Sequence, residues 1–170
     1  MNVLVSDTSI IIDLERAALL RACFGLPFRF AVPDVLYSRE LLDHGGADLV
    51  GLGLEVAELD GAGVALARGY GKANAGLSVP DCFALALAKV NNWSLLTGDA
   101  RLRQEADRRA VACNGFLWLI DQLILHEVTG SREILVGLLA VGNHPRCRLP
   151  RSEVKRRIDL LEKAQTEREP

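Results

Sequence analysis

Four acidic residues stand where an acid has chemical consequences. Asp7 ends an apolar run, Glu40 follows the segment opened by Pro33-Asp34, Asp81 comes directly after Pro80, and Asp99 closes Thr97-Gly98-Asp99. Each has a modest reading of its own: Asp7 as an Asx turn, Asp99 as a turn residue, Asp81 as a cap on the first N–H groups of a helix, Glu40 as a solvated acid. As a set they carry more. Carboxylates gathered at one place repel unless a cation neutralises them. The ion that suits an all-oxygen set is hard and divalent, Mg2+ or Mn2+; it keeps waters of its own and activates one against a phosphodiester.

The elements that must position these acids follow from apolar periodicity and turn chemistry. Strands are expected over 2–5, 28–32, 52–59, 93–97 and 111–113. Helices are expected from Ser9, over 18–24, from Val35 to the Gly45-Gly46 pair, and over 60–73, 82–90 and 100–109. Three more follow over 116–128, 132–141 and 152–164, with 74–79 as a loop. Strands alternating with helices imply an α/β protein, a three-layer α/β/α sandwich with a central, mainly parallel sheet. In such sheets functional groups collect at the carboxyl ends of strands, where Asp7 and Asp99 fall.

Composition is that of an ordinary globular chain, 49% hydrophobic and 25% charged, which leaves only the polar run 165–170 as a candidate for disorder. We expect a domain over 1–142 and a basic extension with one helix over 143–170. The net charge of −2 does not advertise nucleic-acid binding, but charge is unevenly placed. Arg146, Arg148, Arg151, Lys155, Arg156 and Arg157 crowd together against Glu153, as a solvated helix face or a phosphate-contacting patch. Cys23, Cys82, Cys113 and Cys147 form no C-x-x-C pair and read as reduced thiols. The apolar run 115–125 contains Asp121 and is shorter than the ~18 residues of a membrane span. No basic leader precedes Asp7, so a cytoplasmic protein is expected.

Other chemistries find no support. Gly71-Lys72 lacks the preceding glycine of a phosphate-binding loop, no G-x-G-x-x-G or G-x-S-x-G occurs, and His144 with Cys147 makes at most half a zinc site. Five Phe, two Trp and two Tyr supply little base stacking.

In order along the chain, Val3-Leu4-Val5-Ser6-Asp7-Thr8-Ser9, Pro33-Asp34-Val35 leading to Glu40, Ser78-Val79-Pro80-Asp81 with the helix over 84–88, and Leu95-Leu96-Thr97-Gly98-Asp99 form a set that resembles the PIN-domain family. The resemblance covers 1–125. It implies a metal-dependent endoribonuclease on RNA, as in the VapC-like toxins of toxin–antitoxin pairs, and with it a small antitoxin partner and a homodimer. It implies Asp7, Asp81 and Asp99 as metal-binding acids, with Glu40 completing a catalytic tetrad. Thr8, Ser9 and Thr97 become neighbours that hydrogen-bond the acids or a water. Where many members carry a further acid two residues after the last, this chain has Arg101. A second metal site is thereby left open, and Arg101 becomes a phosphate contact or a solvated helix residue. With the acids neutralised by metal, Arg101, Arg103, Arg108 and the C-terminal basic stretch remain to attract a phosphate backbone.

Two competing readings stay open: an α/β phosphohydrolase with Asp7 as nucleophile, and a non-catalytic PIN-like binding module. Phosphohydrolases of that kind usually show Asp-x-Asp, whereas Asp7 is followed by Thr8 and Ser9. The apolar runs 117–125 and 134–141 suit core packing, a homodimer face or a groove for an antitoxin helix. The helix over 152–164 covers the core, binds a partner or extends the RNA surface.

Overall fold

In the computed structural model, which describes residues 2–166, β1 (Asn2–Ser6) is the middle strand of a five-stranded sheet. On one side lie β2 (Phe28–Pro33) and then β3 (Leu54–Ala57); on the other lie β4 (Ser94–Leu96) and then β5 (Cys113–Asn114). All four pairings are parallel, with Val5 opposite both Ala31 and Leu95. The α/β fold with a parallel sheet is as the sequence implies. Val3, Leu4 and Val5 are all buried, the near-continuous apolar run of a strand covered on both faces. Strand order reverses between β1 and β4, and crevices in open α/β sheets form at such switch points, beyond the carboxyl ends.

The chain divides into two units. The sheet unit holds the residues up to Ile11 and Pro27–Gly115; the helical unit holds Ile12–Leu26 and the residues from Phe116 on. The chain passes from one to the other within α1 (Thr8–Arg16).

Within the sheet unit, α5 (Gly61–Ala73) starts at an N-cap, Asp60, that accepts from Gly63 N–H at 2.8 Å. α6 (Val79–Asn91) packs on β1, β2 and β4. Its Cys82 and every residue from Ala84 to Ala88 are buried, so it is apolar nearly all round, as a core helix must be. Asn92, at φ 54°, ends it in the left-handed region. α7 (Ala100–Arg108) completes the unit's longer helices.

Two features depart from expectation. The helix opened by Pro33 and Asp34 starts as α3 (Asp34–Leu36) and widens into a π-helical turn, Tyr37–Leu41, that contains Glu40. After it comes a helix the sequence did not suggest, α4 (Gly46–Leu52). Gly45 takes φ 84° as its N-cap, and a Cβ on Gly46 would stand 2.8 Å from the Leu41 carbonyl oxygen. The glycine pair thus separates two helices through close backbone approach. Gly53, at φ 113°, ends α4 and delays β3, which is shorter than the strand expected over 52–59.

The helical unit contains α2 (Leu20–Phe24), α8 (Phe116–Leu125), α9 (Ser131–Gly142) and α10 (Arg151–Thr166). Gly137 lets α9 approach the Ala17 carbonyl, from which a Cβ would be only 2.6 Å away. Arg157 of α10 is buried and donates to both oxygens of Asp121 at 2.7 and 2.6 Å, and to Glu153 at 2.9 Å. Residues 165 and 166 of the polar run end α10; 167–170 lie outside the described residues. Among the described residues no helix is long and apolar enough to cross a membrane, and all four cysteines are free.

Candidate active site

The Asp7 N–H donates to the Leu96 carbonyl at 3.0 Å, extending the β1–β4 ladder one residue past β1 and leaving the side chain buried at the switch point. Asp7 caps α1. Its Oδ1 accepts from Ser9 Oγ at 2.7 Å and from Ile10 N–H at 3.1 Å, and its Oδ2 accepts from Thr97 Oγ1. The two hydroxyls work crosswise. Ser9 Oγ also accepts from Gly98 N–H at 3.0 Å, and Thr97 Oγ1 accepts from Asp99 N–H at 2.9 Å.

Asp99 caps α7, its Oδ1 accepting from the N–H groups of Arg101 and Leu102 at 2.8 and 2.9 Å. Asp81 closes a capping box at the start of α6. Its N–H donates to Ser78 Oγ at 3.2 Å while its Oδ2 accepts from Ser78 N–H at 3.0 Å. Glu40, in the π-helical turn, accepts through Oε2 from Thr8 Oγ1. Asp7, Asp81 and Asp99 therefore all stand at helix N-termini, where unpaired N–H groups favour negative charge. The modest capping reading of these acids is correct, and it excludes no further role.

Burial pushes the Asp7 carboxyl up from 3.8 to about 6. Hydrogen bonds from Thr97, Ser9 and Ile10 oppose the rise, and the Asp81 charge adds to it, which places Asp81 within electrostatic reach. No basic side chain pairs with Asp7 among the described residues. That lack and the all-oxygen surroundings fit a hard divalent cation. The acids do not form a ready-made cage: among the described residues no three His, Cys, Asp or Glu are gathered tightly enough to hold a metal ion.

Arg101 is exposed and lies along Gly76, where a Cβ would be 3.2 Å from its Nη1. Arg103 and Arg108, grouped by sequence as phosphate-attracting cations, have internal partners. Arg103 Nη2 donates to the Thr97 carbonyl at 2.7 Å, and Arg108 reaches Glu105 at 3.4 Å.

Sequence reasoning missed the residues that hold the loop before Asp81. Asn74 Oδ1 accepts from Gly76 N–H at 3.1 Å, and its Nδ2 donates to Glu105 Oε2 at 3.4 Å. Glu105 is buried on α7. Hydrogen bonds from Arg109, at 2.9 and 2.7 Å, hold its carboxyl below the usual range. The Arg109 guanidinium lies 4.7 Å from the centre of the Tyr70 ring. Asn74 and Glu105 thus link the segment bearing Asp81 to the helix capped by Asp99. The only trace in sequence is an acid within an otherwise ordinary charged helix.

A parallel sheet in which Asp7 and Asp99 follow the two strands at the switch point, each capping a helix, fits a PIN-type α/β domain. The model of the family described as DUF3368, PIN domain, matches residues 3–163, and the chain belongs to that family. Among solved structures, the chain is similar to a PilT N-terminus domain protein, SSO1118, from the archaeon Sulfolobus solfataricus P2. The likeness has a TM-score of 0.49 and 14% identity over 70% of this chain and 90% of that one. No curated protein matches. PIN domains are in general nucleases, and such nucleases generally use divalent metal ions.

Proposed function

We propose that this PIN domain is a Mg2+- or Mn2+-dependent endoribonuclease that hydrolyses RNA phosphodiester bonds and serves as the toxin of a toxin–antitoxin pair. The observation that supports it most is Asp7, a buried carboxylate within electrostatic reach of Asp81 and with no basic side chain paired to it among the described residues. A carboxylate offers about four acceptor sites. Asp7 fills three with the donors from Ser9, Ile10 and Thr97, which leaves one on Oδ2.

Asp7, Asp81 and Asp99 would hold the ion on drawing closer together than they stand here, with waters completing its shell. When bound it supplies Lewis acidity and offsets charge developing on the phosphodiester. The chain's own groups do the positioning. Thr97 and Ser9 fix the Asp7 carboxylate, the α7 N–H groups fix Asp99, and Thr8 fixes Glu40 so that it orients the attacking water. Arg101, without an acid partner among the described residues, contacts a substrate phosphate. Purified Asp7→Asn and Asp81→Asn variants are expected to lose Mg2+-stimulated RNA cleavage; undiminished cleavage by both overturns the proposal. The toxin role predicts growth arrest on expression, relieved by a co-expressed neighbouring small protein. A homodimer predicts twice the chain's mass in light scattering.

A further inference from the structure

We propose that a groove on the helical unit, between the end of α9 and the start of α10, docks an acidic segment, rich in aliphatic side chains, of a partner polypeptide. The inference does not depend on the nuclease reading. The groove has a volume of about 610 Å³ and is walled by Leu139, Leu149, Val154 and Ile158, with Arg151 and Lys155 among its polar lining. No Asp or Glu lines it among the described residues.

The neighbouring charges separate into two groups. Three cations within α10 are paired: Lys155 with Asp159 at 2.9 Å, Arg156 with Glu153 at 3.1 Å, and Arg157 with Asp121 and Glu153. Arg146 and Arg148 on the α9–α10 connection, with Arg151 at the helix start, are exposed and have no acid partner among the described residues. His144 Nδ1 accepts from Arg146 N–H at 3.1 Å, tying this connection locally. In a chain whose net charge is −2, Arg151 in the wall of this mixed polar and aliphatic groove, with Arg146 and Arg148 on the connection whose His144, Pro145, Cys147 and Leu149 line it, makes a local field that selects an anionic partner.

The lining decides which anion. Among the described residues no Phe, Tyr or Trp lines the groove, so a nucleobase finds no ring there to stack on. Four aliphatic side chains flanked by cations match Leu, Ile or Val anchors bracketed by Asp or Glu, as when an amphipathic segment lies in an apolar groove.

The test uses the full chain and three fluorescein-labelled probes: an amphipathic Leu/Glu peptide of about 14 residues, its Leu/Lys counterpart, and an oligouridylate of similar length. Saturable binding of the Leu/Glu peptide is expected, weakening as salt rises and falling about tenfold or more in Arg148→Glu/Arg151→Glu. The Leu/Lys peptide is expected not to bind. Both substituted side chains are exposed, and a second variant, Leu139→Lys, tests the apolar wall separately; its affinity should also fall. The proposal is overturned if the Leu/Glu peptide fails to bind or binds both variants unchanged. It is equally overturned if the oligouridylate, rather than the peptide, loses affinity when the arginines are reversed.

Discussion

Among the described residues charge is buried in three places, and one of them has no opposite charge beside it. Arg157 in the helical unit has Asp121 and Glu153, and Glu105 in the sheet unit has Arg109, Arg108 and Asn74. Among the described residues Asp7 has neutral donors and the like charge of Asp81 within electrostatic reach. Hydrogen bonds and the start of α1 offset part of the cost of burying Asp7, but no opposite charge does, and a buried carboxylate without one is costly to fold. On the proposed function, the contrast separates charges that hold the fold from one available to a bound cation.

The largest effect should come from removing the exception. Asp7→Asn is expected to lower Mg2+-stimulated cleavage by about three orders of magnitude or more while leaving the fold intact. Mg2+ or Mn2+ should raise the melting temperature of the wild type but not of this variant; equal shifts would erase the distinction. Arg157→Ala should do the opposite, costing about 2–4 kcal/mol of stability. Denaturant unfolding that shows no loss would mean the helical unit's ion pairs are ornamental.

The metal-free protein offers a pH test of the same contrast. The Asp7 pKa is raised by folding, so its contribution is fully present below about 3.8 and is lost as pH rises through about 6. The gap of roughly two units amounts to about 3 kcal/mol, and Asp7→Asn should flatten the fall between those limits. Glu105, whose carboxyl is lowered, works in reverse: its contribution is present above its unfolded value of 4.5 and fades as pH drops through the lower folded one. Urea midpoints measured across pH would separate the two. The smallest effect belongs to Asn74→Ala, about 1 kcal/mol, read best as faster hydrogen exchange at Ser78 and Asp81 than at Leu4 or Leu95.

The sequence revealed what local chemistry dictates. Val3-Leu4-Val5 and Leu95-Leu96 are apolar enough to read as buried strands, and Ser78, Pro80 and Asp81 announce the start of α6 whatever surrounds them. It concealed what depends on close approach or distant pairing. Gly45-Gly46 read as a stop because nothing local shows that the Leu41 carbonyl and the Tyr37 ring leave Gly46 no room for a Cβ. The widened turn around Glu40 keeps helical spacing, so periodicity could not reveal it. Asn74 and Glu105 lie 31 residues apart, and Arg103 turned to a carbonyl rather than to solvent. Such partners are chosen by the folded backbone, not by neighbours in the chain.

Ser9 and Thr97 each grip one strand end while touching the other, and Gly98 sits so near Ser9 that a Cβ would come within 3.1 Å of its oxygen. The two strand ends therefore behave mechanically as a single joint. A substitution at either hydroxyl is felt at Asp7 and at the turn leading to Asp99 together, so damage at the two positions will not sum as if they were independent.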